Sequence, residues 1–150
     1  MPKKKSPNIT LGKIFQTYFN LTFTSKVSRL PRCYYWIFSI FIIPPLGVCG
    51  AMGMMGALRW GELGNYATAI IMFLLSAAVL FVAFVSNFQA NIARLHDSDH
   101  SGFFLLWGLM PYLGTLILFV VLGFYGSIQG KNEYGKPFDF DKLESLPPKK

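Results

Sequence analysis

Three stretches of this chain, residues 33–58, 66–88 and 103–128, contain no Asp, Glu, Lys, Arg or His. They hold 26, 23 and 26 residues, and a helix rising about 1.5 Å per residue needs roughly 20 apolar residues to cross about 30 Å of hydrocarbon. Each is long enough to span. This lack of charge excludes a water-soluble domain, whose apolar residues would be distributed periodically and not pooled into blocks. It also argues against ion or proton coupling, which requires ionisable groups at membrane depth. Cysteine is scarce. Cys33 and Cys49 are sixteen positions apart in one expected helix, about 24 Å at helical rise, and cannot be bridged within the chain. Neither GxGxxG nor GxxxxGK[ST] occurs, so the common phosphate-cradling loops are absent. No internal repeat is evident.

What is present ahead of the first stretch is positive charge. Of fourteen basic residues, seven (Lys3, Lys4, Lys5, Lys13, Lys26, Arg29 and Arg32) precede it, with no acid among them, and the formal net charge is +7. Such a segment is attracted to anionic lipid by about 1 kcal/mol per basic residue near the surface. With a span following, the reading is lipid and topology, and no nucleic-acid partner is expected. A cleaved signal sequence does not fit, because the apolar run is too long and begins too late. Leu11, Ile14, Phe15, Tyr18 and Phe19 fall on one face of a helix. That helix is expected either to lie in the membrane interface or to dock on the cytoplasmic end of the bundle.

The expected fold is all-α: a small bundle of three transmembrane helices preceded by the amphipathic interfacial helix. Residues 1–32 form the basic cytoplasmic segment, 33–128 the membrane domain and 129–150 a polar tail, ordered weakly or against the membrane. Pro44 and Pro45 predict a kink in the first span. Gly47 with Ala51 and Gly53 with Ala57 have small-xxx-small spacing, which predicts close approach of another helix, from this chain or a second copy. Residues 59–65 are too few for anything but a hairpin connection. Pro111, with Gly108 and Gly114 around it, predicts a bent third span. Basic residues near the spans put the amino terminus in the cytoplasm. Three crossings then put the tail outside, although Lys131, Lys136 and Lys142 lie close to the membrane there.

The densest polar chemistry is Arg94-Leu-His-Asp-Ser-Asp-His-Ser-Gly102. His96 and His100, four apart with Asp97 between, resemble a zincin HExxH only poorly. Asp is shorter than Glu, no third ligand is obvious, and Ser98, Ser101 and Gly102 favour a turn or cap. No metal, cofactor or catalytic residue is expected, since nearness of Ser101 to the histidines creates neither an orienting group nor an oxyanion site. The structural reading has Ser98, Asp99 or Ser101 capping the next helix, Arg94 paired with Asp97, and His96 donating to Asp97 or a carbonyl. A binding alternative uses Arg94 with Lys26 or Arg29 for lipid phosphate, or for a partner protein.

Residues 23–29 read FTSKVSR, followed by Tyr34, Tyr35 and Trp36; the loop reads ARLHD and SGFF, and the tail reads GKNEYGKP. This order of motifs resembles a bacterial inner-membrane family known as domain of unknown function 805. That family's pattern has a GRxSR-like stretch followed by aromatics, an RRLHD loop leading into SGWW, and a closing NxYGxxP. Ser25 and Lys26 stand for the usual Gly-Arg, and Ala93 for the first Arg of the pair, which marks a divergent member. The resemblance singles out Ser28, Arg29, Trp36, Arg94, His96, Asp97, Ser101, Gly102, Asn132, Tyr134, Gly135 and Pro137 as motif and candidate interaction residues. It implies a multi-pass protein of the bacterial inner membrane and brings no activity. The expected role is a non-enzymatic interaction or envelope-associated module, with a protein partner or homo-oligomer possible. The alternative is a subunit of an oligomeric transporter or channel, suggested by the proline-interrupted spans, and a membrane-surface enzyme comes last.

Overall fold

The computed structural model describes residues 9–24, 26–143 and 145. Lys3, Lys4, Lys5 and Ser25, which carry part of the charge and motif readings, lie outside the described residues. The described chain is helical: α1 (Leu11–Phe23), α2 (Arg32–Ile37), a π turn (Phe38–Ile42), α3 (Ile43–Glu62), α4 (Tyr66–Asp97), a 3₁₀ helix (Gly102–Leu109) and α5 (Leu113–Phe124). No strand occurs among the described residues, only the isolated bridges Val27 to Ser145 and Asn132 to Gly135. Among the described residues, Arg32–Glu62 and Tyr66–Asp97 are the two helical runs long and apolar enough to cross a membrane. The chain divides into two units, Trp36–Gln89 and the described residues up to Tyr35 together with those from Ala90 onward.

The Trp36–Gln89 unit is a helical hairpin. Pro44 and Pro45 occupy the first turn of α3, where a missing N–H removes no intrahelical bond. The π turn absorbs the change just before them, with the Ile43 N–H donating to the Phe38 carbonyl. The seam against α4 is lined by Gly50, Gly53 and Gly56 with buried Ala57. A methyl on Gly53 would overlap the Ser76 hydroxyl, and one on Gly50 would stand 2.7 Å from Leu80 Cγ. The partner is therefore within the chain. Of the two expected small-residue pairs, Gly53 with Ala57 lies on this seam and Gly47 with Ala51 does not. Gly47 faces open space and Ala51 is exposed.

In the other unit, α1 buries Thr17, Leu21 and Thr22 and leaves Leu11, Phe15, Phe19 and Phe23 exposed in an i, i+4 stripe. The apolar face read from the sequence is thus split, with Ile14 and Tyr18 half-buried beside the stripe. Thr17, Leu21 and Thr22 thus face inward, and the apolar stripe faces outward.

Residues 103–128 do not form one helix. The 3₁₀ helix and α5 fold back on each other around Pro111, so closely that a methyl on Gly114 would overlap the Trp107 carbonyl. The described residues of the tail, 129–143 and 145, pack against the amino-terminal segment. Phe138, Leu143 and Ser145 are buried, Asn20 donates to the Leu143 carbonyl at 3.1 Å, and Tyr34 packs on Phe138 and Phe140 at 5.4 and 6.1 Å. The alternating aromatics Phe138 and Phe140 supply the apolar contacts that an otherwise polar segment lacks.

Candidate functional site

Asp97, the last residue of α4, sits 3% exposed between two guanidinium groups that are themselves 0% exposed. Its Oδ2 accepts from Arg94 Nη1 at 2.8 Å, the expected i, i+3 pair. Its Oδ1 accepts from Arg29 Nε at 3.3 Å and lies 3.3 Å from Arg29 Nη2. Two cations share one anion, so the cluster carries an excess positive charge in a buried place, which is costly unless dipoles compensate it.

Backbone carbonyls supply that compensation. Arg29 donates to Gly130 at 2.7 Å, Gly135 at 3.2 Å and Ile128 at 2.6 Å. Arg94 donates to Leu122 at 2.9 Å and to Tyr125, and reaches Ser127 Oγ at 3.4 Å. Leu122 and Tyr125 mark the carboxyl end of α5, where orphan carbonyls and the negative end of the helix dipole favour a cation. Arg32 adds a bond to the Phe124 carbonyl at 3.3 Å. The planar fork of arginine suits these divergent acceptors, whereas an ammonium group would not.

His96 extends the network sideways. Its Nδ1 lies 3.2 Å from the Ser28 carbonyl, and its ring stacks on Tyr134 with centroids 3.9 Å apart and planes within 5°. Asn132 Nδ2 donates to the His96 carbonyl at 2.7 Å, while its Oδ1 accepts from the Tyr134 N–H. Ser28 Oγ donates to the Ser145 carbonyl at 2.6 Å and lies 3.1 Å from the Tyr134 carbonyl. Gly135 makes the close turn at φ 122°, a conformation suited to glycine. Main-chain bonds complete the closure: Leu30 N–H to Ala93, Ile128 N–H to Asp97, and Ser28 N–H to Ser145.

Of the candidate residues, Ser28, Arg29, Arg94, His96, Asp97, Asn132, Tyr134 and Gly135 come together in this one place. Ser101 caps the 3₁₀ helix, its Oγ accepting from the Phe103 N–H at 3.3 Å. Gly102 is half-buried beside Ile92 and His96. Trp36 belongs to the hairpin unit and Pro137 is exposed. Ser98 does not cap the following helix: its hydroxyl turns back to the Arg94 and Leu95 carbonyls. His100 Nδ1 is 2.8 Å from the Ser98 carbonyl, and its ring meets Tyr125 edge-on. Both histidines thus have a ring nitrogen committed to backbone. No group of three or more His, Cys, Asp or Glu able to hold a metal occurs among the described residues. The sequence reading missed the buried Ser145, whose hydroxyl donates to the Arg29 carbonyl at 3.0 Å while accepting from the Arg29 N–H at 2.8 Å.

The site is closed, filled by the protein's own donors and acceptors, and assembled from motifs far apart in the chain. No solved structure matches the chain. Among curated proteins it is similar to inner membrane protein YhaH of Escherichia coli K12, 28% identical over 107 residues, which is 71% of this chain and 81% of that protein. Inner membrane protein YhaI of the same strain is 38% identical over 61 residues, 41% of this chain and 51% of that protein. The model of the family described as protein of unknown function (DUF805) matches residues 22–136, from before the Ser28-Arg29 pair to just past Gly135. The chain is a membrane protein and belongs to the DUF805 family.

Proposed function

We propose that this chain is a non-enzymatic, multi-pass protein of the bacterial inner membrane, an interaction or envelope-associated module whose motif residues form a structural clasp. The observation that carries the reading is the sharing of Asp97 by Arg29 and Arg94. Those three side chains are buried and their bonding capacity is taken up by the protein, so little of it is left for a substrate. The clasp joins the segment before α2, the end of α4, the end of α5 and the tail. Its outward partner is the bilayer. Exposed Lys26 and Arg32, and the apolar stripe of α1, support contact with anionic lipid on the cytoplasmic side.

The test is the stability of an Asp97→Ala protein purified in detergent. Removing the shared anion leaves two buried guanidinium groups uncompensated, and breaking a buried pair costs about 3–5 kcal/mol. The expected result is a marked fall in the unfolding midpoint and in the yield of monodisperse protein. Unchanged stability of Asp97→Ala, or a metal stoichiometrically retained by the native protein and lost with His96→Ala, would sink the reading.

A further inference from the structure

We infer that residues 102–124 form a re-entrant wedge, which enters one leaflet among its acyl chains and returns to the surface it left. The chain then crosses the bilayer twice, and its amino-terminal segment and tail share one side. The inference rests on the membrane location of the protein, and not on the absence of catalysis.

The two ends of the segment meet. It begins at Gly102, a short turn after α4 ends at Asp97, and its far end is held by Arg94 of that same helix end through the Leu122 and Tyr125 carbonyls. The His100 ring, just before the segment, is 5.2 Å from the Tyr125 ring just after it. Between those ends the two arms pack back to back. Gly114 presses on the Trp107 carbonyl, and a methyl on Gly108 would lie 3.1 Å from Leu118 Cδ1.

Length decides how deep the arms go. Eight residues of 3₁₀ helix rise about 16 Å and twelve of α-helix about 18 Å. The hydrocarbon is about 30 Å thick, so both arms reach its middle and neither crosses it. The segment has no charged residue, and Phe103, Leu109 and Tyr112 are each at least 80% exposed. Such a surface needs an apolar cover, and acyl chains provide one around its whole circumference. The tip carries several of its own backbone hydrogen bonds, which lowers the cost of entering hydrocarbon. Pro111 has no N–H, and the N–H groups of Met110, Leu113 and Leu116 donate to Trp107, Pro111 and Tyr112 at 3.0, 2.8 and 2.9 Å.

Charge distribution points the same way. With two crossings, thirteen of the fourteen basic residues lie on one side, all but Arg59 of the hairpin connection. Three crossings would instead put Lys131, Lys136 and Lys142 on the side that positive residues avoid.

No lysine lies between Lys26 and Lys131, so the native protein reports its own topology. Sealed vesicles of both orientations are treated with a membrane-impermeant amine reagent, and the modified lysines are identified by mass spectrometry. The expected result is modification of Lys26 together with Lys131, Lys136 and Lys142 in one orientation and none of them in the other. Modification of the two groups in opposite orientations overturns the inference. Depth is read from single cysteines, Tyr112→Cys and separately Leu109→Cys, with Cys33→Ser and Cys49→Ser as background. Both are expected to resist an impermeant maleimide from either side and to react once detergent dissolves the membrane. Reaction from either side of the intact membrane excludes burial among acyl chains and overturns it.

Discussion

Arg29 shows how much one side chain can specify. Its guanidinium meets Asp97 and three carbonyls from residues 128–135, about a hundred positions away in sequence. An ammonium group offers three protons from a single nitrogen and cannot span those acceptors. Arg29→Lys is therefore expected to destabilise the protein by about 3 kcal/mol, nearly as much as Arg29→Met, as read by thermal unfolding in detergent. Conversely, Tyr134→Phe should be close to neutral, whereas Tyr134→Ala loses the ring stacked on His96, worth about 1 kcal/mol. Asp139 provides a pH test. Its carboxylate accepts from the backbone N–H groups of Asp141 and Lys142, which hold it below the usual carboxylate range. The folded form is thus favoured above that range, and the contribution disappears as pH falls through the depressed value. Because Asp139 is exposed, the expected readout is local: faster amide exchange at Asp141 in acid, after correction for intrinsic rates, with the clasp unaffected. Some of this chemistry was legible in the sequence. Arg94 and Asp97 stand three apart, and helical spacing alone pairs them. Arg29 joins the same carboxylate from 68 positions away, a distance no periodicity reports. Only the order of family motifs placed these residues in one set, without saying that they touch.

Elements were legible where composition alone sets their solvent. Uncharged runs marked α3, the amino-terminal two thirds of α4 and the wedge, because hydrocarbon excludes charge whatever the path of the backbone. Path itself was less legible. Two small-residue pairs in α3 had equal spacing, and the sequence did not say which would face α4. The π turn adds a residue ahead of the helix, and one residue turns a helical face by about 100°. Gly53→Leu should consequently disrupt the hairpin, seen as loss of protection of α3 amides in hydrogen exchange, while Gly47→Leu should leave it intact. The same logic applies to α1. Replacing Phe15 and Phe19 of its outer stripe by glutamate should expose Lys26 to trypsin in anionic-lipid nanodiscs, where the native helix is expected to shield it.

At the scale of the whole molecule, the clasp sets an order of events during synthesis. Arg29 emerges from the ribosome early, and its last carbonyl acceptor, Gly135, follows 106 residues later. Until then its guanidinium must remain hydrated at the membrane surface. The α3 to α4 hairpin can insert meanwhile, because its seam is local. Closing the clasp accordingly has to wait until Gly135 has been made. A chain released before Gly135 would keep its apolar rods yet never lock them, presenting unsatisfied arginines to the proteases that survey nascent membrane proteins. Nonsense or frameshift lesions just before Gly135 should therefore be as damaging to abundance as lesions in the rods themselves.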